Sequence, residues 1–125
     1  MKENKITEKI IQCAIKVHNS LGTGLLESAY KECLFYELVK CRLTVKKEKP
    51  LPLVYEEVKL DCGYRLDIFV ENSIVIEVKS VELLHDIHLA QVLTYLKVVN
   101  RRVGLLLNFN VLRMKEGIKR VISGY

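Results

Sequence analysis

Tyr64-Arg65-Leu66-Asp67-Ile68-Phe69-Val70-Glu71-Asn72-Ser73-Ile74-Val75-Ile76-Glu77-Val78-Lys79 is two strand-like runs joined through Glu71-Asn72-Ser73. Val- and Ile-rich runs of this length belong in a sheet core, where an unpaired charge is expensive. These two nonetheless carry Asp67, Glu77 and Lys79. If Glu71-Asn72-Ser73 closes a hairpin, Asp67 and Glu77 are equidistant from Asn72 and face each other across the pair. Like charges directly opposite destabilise a sheet unless a cation lies between them. A metal ion supplies such a cation, with Lys79 two residues along on the same face.

Outward from this hairpin the pattern changes on both sides. Residues 6–19 repeat apolar groups at Ile6, Ile10, Cys13, Ala14 and Val17, a helical stripe that Gly22-Thr23-Gly24 ends. A second helix is expected over about 25–41, with Leu26, Tyr30, Cys33, Leu34 and Leu38 on one side. Residues 43–48, 51–60, 64–70 and 74–79 read as four strands, punctuated by Pro50, Pro52, Asp61, Gly63 and Asn72-Ser73. A third helix over about 84–99 is apolar on most sides and is expected to be covered on more than one face. Residues 102–109 are a buried strand; the tail from Val111 onward fits either a last strand or a short helix. The order predicts an α/β fold, a mixed β-sheet flanked by helices, with residues 1–125 as one domain.

Half the residues are apolar and 28% are charged, which fits a folded protein and excludes a disordered chain. No apolar stretch approaches a membrane span and the first residues lead into no signal-like core, so no membrane and a cytoplasmic location are expected. Cys13, Cys33, Cys41 and Cys62 form no Cys-x-x-Cys pair; their scatter predicts reduced, mostly packed thiols. The net charge of +5 suits a polyanionic partner but decides nothing alone.

Two further pieces accompany the acidic pair. Gln91 and Tyr95 are four apart on the third helix and share a face, with His88 beside them. Upstream, Glu27 falls in the first turn of the second helix and Tyr30 one turn on. With these residues the chain resembles the PD-(D/E)XK nuclease superfamily: Asp67, then Glu77-x-Lys79 on the next strand. Gln91-x-x-x-Tyr95 is similar to the extra motif of its RecB-like branch, and Gly24-x-x-Glu27-x-x-Tyr30 resembles the GxxExxY family of small prokaryotic proteins. Leu66 stands where the superfamily's name has proline. The resemblance implies a restriction-endonuclease-like core and hydrolysis of phosphodiester bonds in DNA or RNA.

Under that reading Asp67, Glu77 and the main-chain carbonyl of Val78 offer oxygen ligands to Mg²⁺ or Mn²⁺. Glu27 joins them directly or through water, by analogy with the acidic residue the superfamily carries on its first core helix. Lys79 positions the attacking water or stabilises charge on the phosphate. Gln91 and Tyr95 orient the lysine, the metal waters or the substrate backbone, and His88 is a candidate phosphate contact. Each residue also has a plainer reading. Asp67, Glu77 and Lys79 could be an ion-pair cluster, although two buried acids with one lysine leave negative charge uncompensated. Glu27 could simply favour the helix dipole; Gln91, Tyr95 and Tyr30 could be packing. The basic stretches Lys46-Lys47-x-Lys49, Arg101-Arg102 and 115–120 are candidate nucleic-acid contacts or solvated surface. The rival function is a catalytically idle module that binds nucleic acid or protein on the same fold. The apolar third helix is a candidate surface for a homodimer.

Overall fold

The computed structural model describes residues 2–124. Helix α1 (Lys2–Leu21) buries Ile6, Ile10, Cys13, Ala14 and Val17, the stripe read from its spacing. Helix α2 (Glu27–Lys40) buries Tyr30, Leu34 and Leu38, each four residues from the last and so on one face. Between the helices Gly22 and Gly24 both take positive φ, 74° and 91°, a conformation costly for any residue with a Cβ.

Strands β1 (Val45–Pro50), β4 (Arg65–Val70), β5 (Ile74–Lys79), β6 (Val103–Asn108) and β7 (Ile118–Ile122) form a five-stranded sheet in the order β1-β4-β5-β6-β7. The β4–β5 hairpin turns at Glu71 and Asn72, both at positive φ, with the Ser73 N–H donating to the Val70 carbonyl at 2.9 Å. Two successive positive-φ residues are what a primed hairpin turn requires. Helix α3 (Asp86–Val99) crosses from β5 to β6, which therefore pair in parallel; the other neighbours are antiparallel. All six residues of β6 are buried.

The two faces of the sheet hold separate apolar clusters. Ile10, Tyr30 and Leu34 meet Ile68, Ile76 and Leu105 on the α1–α2 side. Val92, Tyr95 and Leu96 of α3 meet Phe69, Val75 and Leu106 on the other. Gly104 makes the second contact close: a Cβ there would lie 2.8 Å from Val92 Cγ1. The architecture is the expected one, a mixed sheet flanked by three helices in a restriction-endonuclease-like arrangement.

Several expectations need correction. Residues 51–60 are two short strands, β2 (Leu53–Tyr55) and β3 (Val58–Leu60), paired as a hairpin outside the main sheet. Pro52 has no N–H for a ladder, and Glu56 at φ 54° turns the chain back. The tail takes both offered forms, a 3-10 turn (Met114–Gly117) followed by β7. Helix α3 is covered chiefly on one face: Val92, Tyr95 and Leu96 are buried, whereas Ile87 and Val98 are exposed. The cysteines are free, but Cys41 and Cys62 are exposed and Cys13 Sγ lies 3.5 Å from Cys41 Sγ, so they are neither mostly packed nor all isolated. No helix of the described residues is long and apolar enough to cross a membrane.

Candidate active site

The site begins where the side-chain alternation of β4 breaks. Ile68 and Val70 face the α1–α2 cluster, and regular alternation would send Leu66 there too. Leu66 instead packs with Phe69 on the α3 side, so the alternation breaks at Asp67. The neighbouring strand breaks at the same level. Lys47↔Ile68 and Lys49↔Leu66 pair normally, while the intervening Glu48 sits at φ 55° opposite Asp67.

The β4–β5 ladder ends at Ile68↔Ile76, one pair short of Asp67 and Glu77. Beyond it the carboxylates take over the role of main-chain acceptors. Asp67 N–H donates to Glu77 Oε2 at 3.2 Å, and Val78 N–H donates to Asp67 Oδ2 at 2.8 Å. The two acids are thus fixed by each other's strands, with Glu77 only 4% exposed.

This packing is electrostatically costly. Burial, then repulsion from Asp67, pushes the Glu77 carboxyl up to about 8, against smaller opposing pulls from the Asp67 N–H and Lys79. Burial likewise raises Asp67, with Glu48 adding to the rise and the Val78 N–H, Lys31 and Lys79 resisting it. Glu27 is raised by burial first and also by Asp67, with Lys79 and Lys31 pulling the other way. The structure therefore brings Glu27, Asp67, Glu77 and Lys79 into one field. Tyr95 joins from α3: its hydroxyl is raised by burial and then by Glu77, and it accepts a hydrogen bond from Gln91 Nε2 at 3.2 Å. Gln91, Tyr95, His88 and Lys79 line one cleft of about 430 Å³ between α3 and the segment at Leu53 and Tyr64.

Glu27 reaches this field because its loop is clamped. The Tyr30 hydroxyl donates to the Gly22 carbonyl at 2.6 Å and accepts from the Leu25 N–H at 3.2 Å. Its ring is fully buried and stacks on Phe109 at 4.6 Å between centroids. Tyr30 is a packing and positioning residue. His88 Nδ1 accepts from the His85 N–H at 3.0 Å while His88 N–H donates to the His85 carbonyl at 2.9 Å, so His88 caps α3 as well as lining the cleft.

Four contributors escaped the sequence reading. Lys31 pairs with Glu48 and stands 4.0 Å from Asp67 Oδ1, a second cation beside the acids. Its position four residues after Glu27 placed it on the same helical face, a signal that was available. Glu48 was hidden because its register against Asp67 rests on the long connection through residues 51–64. Asn108, buried at the end of β6, donates from Nδ2 to the Val81 carbonyl at 3.0 Å and accepts from Val81 N–H at 3.1 Å. Ser80 Oγ donates to the Leu25 carbonyl at 2.7 Å. These bonds fix the chain leaving Lys79. In each basic stretch one residue is committed elsewhere: Lys47 to Glu32, Arg101 to the Asn72 carbonyl and Arg120 to Asn4.

A family model of the PD-(D/E)XK nuclease superfamily matches residues 4–121. The chain belongs to this superfamily. Comparison with curated proteins finds no match, and comparison with solved structures finds none. PD-(D/E)XK nucleases generally depend on a divalent metal, and the donor set here can be tested against one. Among the described residues no three His, Cys, Asp or Glu side chains converge closely enough to hold an ion together. Two carboxylates from Asp67 and Glu77 do adjoin, and a hard cation such as Mg²⁺ commonly uses one or two carboxylates while keeping several waters. Burial first, and neighbouring acids after it, disfavour the charged forms of Glu27, Asp67 and Glu77, a cost that a cation would offset. Asp67 and Glu77 fit a hard cation as a two-carboxylate donor set.

Proposed function

We propose that the protein is a divalent-metal-dependent nuclease acting on DNA or RNA, with Asp67, Glu77, Lys79, Glu27, Gln91 and Tyr95 as its site. One observation carries the reading: Asp67 and Glu77 are held side by side in the sheet at an electrostatic cost that fold stability does not need. Asp67, Glu77 and the Val78 carbonyl would hold Mg²⁺ or Mn²⁺, with Glu27 contributing through water. Such an ion supplies Lewis acidity toward a phosphodiester and eases deprotonation of a water.

The protein's own groups do the rest. Lys79, on the rim of the cleft, directs its ammonium at the water or at the charge growing on the phosphate. Gln91 fixes the Tyr95 hydroxyl, and the pair orients what enters beside Glu77. Lys31 balances Asp67 and Glu48. Membership of the GxxExxY branch is supported by the work each motif residue does: Gly24 turns the loop, Tyr30 clamps it and Glu27 emerges from it. Four free cysteines accord with a reducing, cytoplasmic setting.

The test incubates purified protein with single- and double-stranded DNA and RNA in Mg²⁺, Mn²⁺ or chelator, beside Asp67→Ala and Lys79→Ala. Metal-dependent cleavage lost by about 10²–10³-fold in both variants is expected. Cleavage that persists in both would belong to a contaminant. Absence of metal binding by calorimetry in the wild type would leave the idle binding module as the reading.

A further inference from the structure

We propose that the cleft beside Lys79 receives the base of an unpaired nucleotide adjoining the scissile phosphate, making single-stranded nucleic acid the substrate class. This rests on the nuclease reading of the acidic site and adds what that site selects.

Position is the first ground. The cleft of about 430 Å³ shares Lys79, Gln91 and Tyr95 with the acidic cluster, so its occupant must be continuous with whatever reacts there. Its walls are the second. Ile87, Val98 and Leu53 are apolar, and among the described residues no acid contributes to the lining and Lys79 is its one lysine. Ile87 is 72% exposed, a cost that an occupant would remove. Tyr64, 46% exposed, lines the cleft with its ring 6.4 Å from that of Tyr95 and inclined at 63°. A flat, weakly polar body with an anion at one end matches this lining, which is the shape of a nucleotide. The volume lies in the range of small-molecule sites.

Pairing state follows from the same geometry. In a duplex both faces of a base are covered by its neighbours, so it cannot offer one to Tyr64 without leaving the stack. An unpaired base can, and stacking on an aromatic ring is worth about 5- to 100-fold in affinity per base. Three cations of the basic stretches are meanwhile engaged within the protein: Lys47 with Glu32, Arg101 with Asn72 and Arg120 with Asn4.

Fluorescence anisotropy decides the matter, using short labelled single strands of DNA and RNA and their matched duplexes, in Ca²⁺ to hold off hydrolysis. Single strands are expected to bind at least about tenfold tighter than duplexes. Tyr64→Ala should lose about tenfold for single strands and little for duplexes, while Tyr64→Phe, which keeps the ring, retains single-strand binding. Tyr64 is largely outside the core, so the melting temperatures of both variants serve as the folding control. Duplex binding as tight as single-strand binding overturns the proposal, as does an equal loss for both in Tyr64→Ala or no binding at all. Light scattering that shows a second copy covering the cleft, with Ile87→Glu restoring monomers, overturns it too. Cleavage assays run in parallel keep the two readings apart. Metal-dependent cleavage without single-strand preference removes only the base site; single-strand preference without metal-dependent cleavage removes only the nuclease.

Discussion

Asp67 donates its main-chain N–H to a carboxylate oxygen of Glu77 at 3.2 Å, at the level where the hairpin ladder would otherwise supply a carbonyl. The bond holds Glu77 in a nearly waterless position, and burial followed by Asp67 repulsion lifts its carboxyl to about 8 from an ordinary 4.5. A raised acid means the folded chain keeps a proton that the unfolded chain releases. Stability contributed by this group is therefore complete below about 4.5 and is lost as pH rises toward about 8. Melting of the metal-free protein should show it. Glu77→Gln is expected to flatten the slope over this window and to stabilise the metal-free protein at pH 8 by about 1–3 kcal/mol. Mg²⁺ should raise the melting temperature of the wild type more at pH 8 than at pH 6, and that of Glu77→Gln hardly at either. A wild-type melting temperature that climbs from pH 5 to pH 8 without metal would contradict the account.

Lys31 gives a prediction of opposite sign for metal and for stability. Its ammonium pairs with Glu48 and lies 4.0 Å from Asp67 Oδ1, so it already compensates part of the acidic charge. Lys31→Met should cost the metal-free protein about 1 kcal/mol near neutral pH, between the worth of an exposed pair and a buried one. The deficit should fade in acid as Asp67, whose carboxyl burial raises, takes up a proton. Calorimetry should find Mg²⁺ bound several-fold tighter, because a competing positive charge has gone. Weaker metal binding in Lys31→Met would instead make the lysine a support for the ligands.

Tyr30 separates positioning from packing. Tyr30→Phe keeps the stack on Phe109 but removes the bonds to the Gly22 carbonyl and the Leu25 N–H. A loss of about 1–2 kcal/mol is expected for the two bonds. Cleavage should fall by about tenfold with unchanged circular dichroism, since a small misplacement at a site is costly. Full activity in Tyr30→Phe would show that the loop holds Glu27 without the clamp.

What could be read from the chain divides by sequence distance. The hairpin and its turn were legible because a short connection settles them locally, whereas the break in alternation at Asp67 and the end of the ladder before Glu77 were not. Helices α1 and α2 were legible from Ile6, Ile10, Cys13 and from Tyr30, Leu34, Leu38, whose spacing is itself the buried stripe. The split of residues 51–60 was missed because β-propensity masked the N–H that Pro52 lacks. Glu48 opposite Asp67, and Cys13 beside Cys41, depend on where distant elements dock, and nothing local records that. The open flank of α3 was misread for a related reason. An apolar helix face tells that something will cover it, whereas Ile87 and Val98 border a cleft.

Asn108 tests how far the exit of β5 governs Lys79. Its amide bonds to both polar groups of Val81 and accepts from the Asn110 N–H at 3.2 Å, while the Phe109 N–H holds the Lys79 carbonyl at 2.9 Å. Asn108→Leu keeps the volume close but strips these partners from half-buried main chain at Val81 and Asn110, at a cost of about 2 kcal/mol. The chain after Lys79 then loses its hold at Val81 and keeps the Phe109 N–H on the Lys79 carbonyl and Ser80 on the Leu25 carbonyl. If Lys79 acts on the reacting phosphate, kcat should drop by about tenfold or more with KM nearly unchanged, because an interaction made in the transition state has slipped. The assay belongs well below the variant's melting temperature, so that unfolding contributes nothing. Recovery of kcat on cooling would assign the defect to stability, whereas a deficit that persists in fully folded protein assigns it to the placement of Lys79.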